Sequence, residues 1–319
     1  MKILAISYGR NFFDPDNPER ARQLAVARAA GEMHVVVFTD NADGLKPEVV
    51  DERLFLYPTN STGRLRKVFD AIKLGREIIE ADRGGEWVIT AQDPFEAGLV
   101  AWRIARATGV PFNVQEHGDF FSGPHWRAES FFNRIRYQLG RLMLKRADSV
   151  RVVATRIKDT LIGHGVAENV ITVLPVRTNV KPFQQANPDR DLIPAFDPTK
   201  MYILTAARFV PQKNLPLLIR AFAAVHQHVP ETHLLMVGRG PEEVGLKVLA
   251  TRLVPAAVTF IDWTENLPAL MKACHLYALS SNYEGWGRVL LEARAAKLPM
   301  VTTDVGCVGE AIHPNDACR

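Results

Sequence analysis

Three cysteines in 319 residues, Cys274, Cys307 and Cys318, are too few and too widely spaced for a disulfide framework or a zinc pattern. A reducing compartment fits such a chain. Long apolar runs are also missing. None approaches the ~18 residues a membrane span needs, and the opening MKILAISYGRN is a short first strand rather than a signal peptide. The expected place of the chain is the cytoplasm, with any membrane contact peripheral and on the inner face. No G-x-x-x-x-G-K-[ST] occurs, which argues against a P-loop NTPase. In GRGPEE, Glu243 stands where a dinucleotide fingerprint needs its third glycine, which argues against an NAD-dependent dehydrogenase. The net charge of +4 is scattered rather than concentrated, so nucleic acid is not an expected partner.

What is present is a regular alternation. KILAIS, HVVVFT, LFLYP, EWVIT, FNVQE, SVRVVA and ITVLP read as buried strands, with amphipathic helical stretches between most of them. Residues 179–200 are rich in Pro, Asn and Asp and lack periodicity. The alternation then restarts with MYILTAAR, THLLMVG, VTFIDW, LYALS and PMVTTDV. Such βαβ repetition predicts an α/β chain of two Rossmann-like domains. Their expected limits are 1–183, a linker over 184–200, and 201–319. Ligands of parallel sheets sit outside the carboxyl ends of the strands, so the strand-to-helix loops carry the candidates. Two such domains facing each other would hold a ligand in the cleft between them.

In the second half, Arg208 and Lys213 share one loop after the first strand. A planar guanidinium and an ammonium point charge suit a diphosphate; the alternative is two solvated surface charges. Gly238 and Gly240 follow the next strand and read either as a close approach to a ligand or as a tight turn. In NYEGWGRVLLE, Glu284 lies just outside a helix mouth made by Gly285, Trp286 and Gly287, and Glu292 lies within the helix. The free N–H groups of that mouth attract anions. A carboxylate beside it faces neutral hydroxyls more readily than phosphate. Glu292 can take paired ribose hydroxyls. The alternatives are a dipole-favouring glutamate and a surface one.

Taken together, RFVPQKN, VGRGPEE and the stretch from FIDW to TTDVG resemble the C-terminal domain of family 4 (group 1) glycosyltransferases of GT-B fold. The resemblance is specific over 200–312 and general in the first half. It implies that the E-x7-E pair, Glu284 and Glu292, contacts the transferred sugar and the ribose. It places Arg208 and Lys213 on the diphosphate, and Gly238, Gly285, Trp286 and Gly287 along the donor; Trp286 stands where the family usually has Phe. Thr264 is a weaker candidate for the base. The co-substrate implied is a nucleotide-diphosphate sugar, with no further cofactor. The activity implied is retaining, metal-independent transfer to a glycan, lipid-linked or small-molecule acceptor.

The first half is expected to hold that acceptor. His117, Gly118 and Asp119 follow a strand, and the resemblance gives His117 a place near the donor sugar; the alternative is a turn histidine. Asp119 either orients it or binds acceptor. Gly9 and Arg10 occupy the first loop, where Arg10 can meet a phosphate or an anionic acceptor, and Gln92 and Asp93 follow another strand. Asp14 and Asp16 match a D-x-D metal motif but read as turn chemistry; no metal is implied. Phe131, Ile135, Leu139 and Leu142 make one helical face, with Arg134, Arg141 and Lys145 off it. This is either an ordinary sheet-packed helix or a contact with anionic membrane. The family continues beyond the equivalent of Arg319 with more sheet, more helix and a helix crossing back to the N-domain. Two alternatives therefore stand beside the transferase: a sugar-nucleotide epimerase or hydrolase, and a truncated non-catalytic nucleotide-sugar binder.

Overall fold

The computed structural model describes residues 1–313; Cys318 lies outside them. It divides into two compact units. One holds Met1–His117 and Ser130–Leu174, the other Gly118–Glu129 and everything from Pro175 onward.

The first unit is built on β1 (Lys2–Ser7), α1 (Pro18–Ala30), β2 (Glu32–Val37), β3 (Glu48–Val50), β4 (Leu54–Pro58), α2 (Arg64–Ala81), β5 (Trp87–Ala91), α3 (Glu96–Thr108) and β6 (Phe112–Glu116). A short helix, α4 (His125–Ala128), lies in the segment that packs with the second unit. The first unit resumes with α5 (Phe131–Leu144), β7 (Ser149–Val152), α6 (Thr155–Gly163) and β8 (Ile171–Val173). The sheet order is β3-β4-β2-β1-β5-β6-β7-β8, parallel except for the β3–β4 edge pair. β1 and β2 are Val/Ile/Leu runs because both their faces are covered, as central parallel strands require. On one face Ala5, Val35, Val37, Leu54 and Leu56 pack with Ala27 of α1 and with Phe12. Local chemistry sets the helix starts. Asn17 accepts from Glu19 N at 3.0 Å ahead of Pro18, and Ser130 Oγ accepts from Asn133 N at 3.1 Å.

The second unit contains α7 (Lys181–Gln185), β9 (Met201–Ala206), α8 (Leu215–His228), β10 (Thr232–Val237), α9 (Glu243–Leu253), β11 (Val258–Ile261), α10 (Leu267–Ala273), β12 (Leu276–Leu279), α11 (Arg288–Ala295) and β13 (Met300–Thr302). Its sheet runs β11-β10-β9-β12-β13, all parallel. Leu215, Ile219 and Phe222 of α8 and Leu246 of α9 cover Leu234 and Met236. Burying side chains of this size stabilises by roughly 1.5–3 kcal/mol each. Residues 179–200, read from sequence as aperiodic, are tied to this unit. α7 packs on α10 and α11, Ile193 is buried, and Asp197 N donates to Tyr202 Oη at 2.7 Å.

One helix departs from simple sheet packing. α5 buries Asn133, Tyr137, Gly140, Met143 and Leu144, while Phe131, Ile135 and Leu142 stay exposed. The regular apolar stripe seen in the sequence is thus not the face that meets the fold.

Candidate functional site

In the second sheet, β9 connects by way of α8 to β10 on one side and has β12 on the other. The strand order reverses there, and a crevice opens between the two loops at the carboxyl ends of such strands. The loops that meet at this point are two of those the sequence singled out.

They are joined by a dense set of hydrogen bonds. Asn282 N donates to Gln212 O at 2.8 Å, and Gln212 Nε2 donates to Tyr283 O at 3.0 Å. Ser280 Oγ bonds Lys213 O at 2.9 Å, and Asn214 Nδ2 reaches Asn282 Oδ1 at 3.0 Å. Lys213 Nζ pairs directly with Glu284 Oε1, and Ser281 Oγ donates to the same oxygen at 2.7 Å. The side chains of this pair are only 14% and 9% exposed. Arg208 differs: its guanidinium is exposed and has no ion-pair partner among the described residues.

Glu292 lies in the second turn of α11. Its carboxylate is half-buried and makes no hydrogen bond or ion pair among the described residues. Burial raises its pKa above the usual carboxylate range, with Arg288 opposing. Both Glu284 and Glu292 act electrostatically on the Tyr277 hydroxyl, which bonds Ala206 O at 3.1 Å. Both carboxylates therefore lie within electrostatic reach of the end of β9. Gly287 caps α11 in the left-handed region at φ 75°, and no side chain caps the helix start. Trp286 is 7% exposed, and its indole N–H has no acceptor among the described residues.

Supporting residues escaped the sequence reading. Gly306, after β13, has φ 58°, and a Cβ there would lie 2.7 Å from Trp286 O and 3.1 Å from Glu284 Cβ. Ser281 holds Glu284, and its one sequence signal was its place just after a strand. Tyr283 donates to Glu129 Oε1 at 2.8 Å. Gly238 has a structural duty: at φ 137°, a Cβ would meet Ala207 O at 1.9 Å. Thr264 Oγ1 accepts from Asn266 N at 3.1 Å, turning the chain ahead of α10.

In the first unit the order reverses between β1 and β5. Ser7 Oγ donates to Gln92 Oε1 at 2.6 Å and accepts from Gly9 N at 3.0 Å. Arg10 is engaged by Asp40 at 2.6 Å and Asp43 at 3.0 Å. Asp93 accepts from Phe95 N at 2.7 Å ahead of α3, and its burial pushes its pKa up to about 7. Asp16 N donates to Asp14 Oδ1 at 3.1 Å, a turn contact. His117 ends the first unit's share of the β6 loop, and Asp119, buried, belongs to the second unit. His117 Nε2 lies 2.9 Å from Gln115 Oε1, which also accepts from Arg151 at 3.2 Å. Nε2 therefore carries the proton and Nδ1 is left as acceptor. Enclosure first, then the charges of Arg151 and Arg22, push the His117 pKa down to about 4. The imidazole is neutral at pH 7.

Residues 18–177 match the glycosyl transferase 4-like domain, and residues 191–317 match glycosyl transferases group 1. The chain belongs to the group 1, family 4-like glycosyltransferases. An uncharacterised glycosyltransferase of Bacillus subtilis, YqgM, is 26% identical over 181 residues, 56% of this chain and 48% of that one. The lipopolysaccharide core biosynthesis mannosyltransferase LpsB of Rhizobium meliloti is 25% identical over 184 residues, 54% of this chain and 50% of that one. The chain thus spans half or less of the length of the curated relatives it matches. Among solved structures, Anabaena HepE in complex with UDP and glucose superposes with a TM-score of 0.68. It is 20% identical, with 96% of this chain and 81% of that chain covered. This likeness shows the GT-B fold, built on two parallel sheets.

Proposed function

We propose that the chain binds a nucleotide-diphosphate sugar in its second unit and transfers the sugar, with retention, to an acceptor held by the first. The observation that carries this reading is Glu292, a half-buried carboxylate without a partner on the helix that opens at Gly287. Such a group is costly to fold around unless a ligand satisfies it. A ribose diol does so with two O–H donors. Arg208 and the uncapped start of α11 then meet the diphosphate, and Lys213 joins them by exchanging Glu284 for phosphate. Glu284, released, accepts from hydroxyls of the sugar. The indole N–H of Trp286 is available as a further donor.

On departure the diphosphate gains charge, which Arg208, Lys213 and the helix start stabilise in place. His117, neutral, positions the sugar through its N–H or its free Nδ1. The acceptor hydroxyl attacks from the face the phosphate leaves and passes its proton to that phosphate. No protein carboxylate acts as nucleophile, and the scheme needs no metal. Asp119, Gly9 and Arg10 are the acceptor-side candidates. The acceptor is a glycan, a lipid-linked sugar or a small molecule, as the range of named relatives suggests.

UDP is the first nucleotide to test, since HepE is seen with it. Thermal unfolding with UDP, GDP and ADP separately should show one clear shift. At 100 times its dissociation constant a ligand adds roughly 2.7 kcal/mol. A folded protein that responds to none of them would overturn the reading. A nucleotide response with sugar released only as free hexose would favour a hydrolase.

Glu292→Gln gives a sharper check. Because its folded pKa is raised, Glu292 is stability-neutral below its unfolded pKa and costs stability as pH rises through the folded one. The variant should therefore melt higher than the parent at pH 7.5, and the gain should vanish near pH 4. Its nucleotide affinity should fall roughly ten- to a hundredfold, from lost charge-assisted bonds of about 1.5–3 kcal/mol. Unchanged affinity would remove Glu292 from the site.

A further inference from the structure

Two arginines near the carboxyl edge of the first sheet are held by acids. Arg10 pairs with Asp40 and Asp43, and Arg136 with Glu96. Arg151 of β7 is different. One of its terminal nitrogens, Nη1, donates to Gln115 Oε1 at 3.2 Å, and Nη2 donates to Leu174 O at 3.3 Å. Both acceptors are neutral. Its Nε is buried without an acceptor, and no carboxylate acts on it among the described residues. A neutral amide could make the same two bonds, so the fold does not need the charge that it keeps half-buried. Such a charge is costly unless something of opposite sign meets it.

The surroundings of Arg151 add positive charge. Gln115 and Arg151 are register partners in β6 and β7, so their side chains leave the same face of the sheet. Gln115 Oε1 also meets His117 Nε2 at 2.9 Å, and Gln115 Nε2 is fixed on Thr90 Oγ1 at 2.8 Å. The imidazole and the guanidinium thus share one oxygen. Arg22 of α1, which pairs with Glu19, acts repulsively on both. The charges that act on His117, from β7 and from α1, are therefore both positive. The face itself is polar. Thr90, Asn113, Ser149 and Arg151 are half-buried, while Ile89, Val114 and Val150 are sealed on the other side. Parallel strands covered on both faces read instead as unbroken apolar runs.

We propose that Arg151, with Arg22 beside it, is the seat of an oxyanion: a phosphate or carboxylate group on a ligand other than the nucleotide. The guanidinium keeps N–H donors beyond the two already used, and its planar fork matches such a group. Arg10 already has two carboxylates, so the charge left for an anion at this edge is that of Arg151. On the sugar transfer proposed above, and resting on it, the ligand is the acceptor. That acceptor is anionic, anchored by its charge at Arg151 and with a hydroxyl near His117.

The probe is inorganic phosphate, titrated into the whole chain without nucleotide while the His117 ring is followed by NMR. At constant ionic strength phosphate should shift this resonance saturably, and chloride should not. An anion within about 4–6 Å of the ring should raise its midpoint from about 4 by about 1–3 pH units. Arg151→Gln can still bond Gln115 and Leu174. It should weaken phosphate binding at least about tenfold at an unchanged melting temperature. Arg151→Lys should restore part of the affinity, as a point charge without the fork. Three outcomes would overturn the inference: no saturable shift in the parent, a shift that Arg151→Gln leaves intact, or displacement of phosphate by UDP, which would put the anion in the donor's seat. The first and third are read on the parent protein, so they decide even where a variant fails to fold. Glu292→Gln should bind phosphate like the parent while its nucleotide affinity falls, so failure of this inference and failure of the donor reading are told apart.

Discussion

Lys213→Ala is expected to lower the stability of the second unit by about 3 kcal/mol or more. Breaking a buried pair by removing one partner typically costs about 3–5 kcal/mol, because the remaining charge stays buried without compensation. Here that charge is the carboxylate of Glu284, held in place by Ser281 Oγ at 2.7 Å and scarcely reached by water. For a unit of this size the melting temperature should drop by about 6–12 °C. The discriminating measurement is a double-mutant cycle. Lys213→Met with Glu284→Gln removes both charges and keeps the volumes, so it should be more stable than Lys213→Met alone. If the two single losses simply add, the pair is not coupled. The same lysine is the one proposed to meet the diphosphate. An apo site that already holds it against Glu284 would make donor binding an exchange of partners, so the affinity for nucleotide alone should rise in Glu284→Gln, as long as that variant folds.

Gly238→Ala should be nearly as damaging, although it adds only one methyl group. The new Cβ would sit 1.9 Å from Ala207 O, a backbone atom that cannot swing aside, and the residue has φ 137°. Strain of about 1–3 kcal/mol and overpacking of about 1–3 kcal/mol together predict a loss of about 2–6 kcal/mol. Gly245→Ala is the matched control. It lies within α9, and its added Cβ meets nothing within 4 Å. Replacing that helical glycine should stabilise by about 0.5–1 kcal/mol. Urea denaturation of both variants decides the matter; a neutral Gly238→Ala would mean that the loop after β10 is free to move.

These two glycines show where sequence reading stops. Both were visible as letters, but their opposite consequences depend on Ala207, which is distant in the chain. The strands were legible because buried parallel strands read as unbroken Val/Ile/Leu runs, as KILAIS and HVVVFT do. The E-x7-E spacing was legible because eight residues fit one helix and its mouth. The short antiparallel β3 was not, since Glu48, Val49 and Val50 carry no alternation long enough to detect. The Lys213–Glu284 pair was not, because 71 residues separate the partners and only the order of β9 and β12 in the sheet brings them together. Ser281 and Gly306 act through Glu284 and Trp286, so nothing local marks them. The α5 stripe was seen, but its orientation was not: two apolar faces share one helix, and periodicity cannot say which meets the sheet.

The segment Gly118–Glu129 bears on how such a chain can be rearranged. The polypeptide passes between its two units three times, after His117, after Glu129 and after Leu174. Phe121 and Trp126 are buried, Phe120 packs against Trp126 and Tyr283, and Glu129 receives the Tyr283 hydroxyl. A chimera spliced only at residue 175 would carry these twelve residues from one parent and their seat from the other. Recombination of the two units is therefore not modular at that junction. A working hybrid has to transplant 118–129 together with the second unit, or inherit Tyr283 and its neighbours with the first.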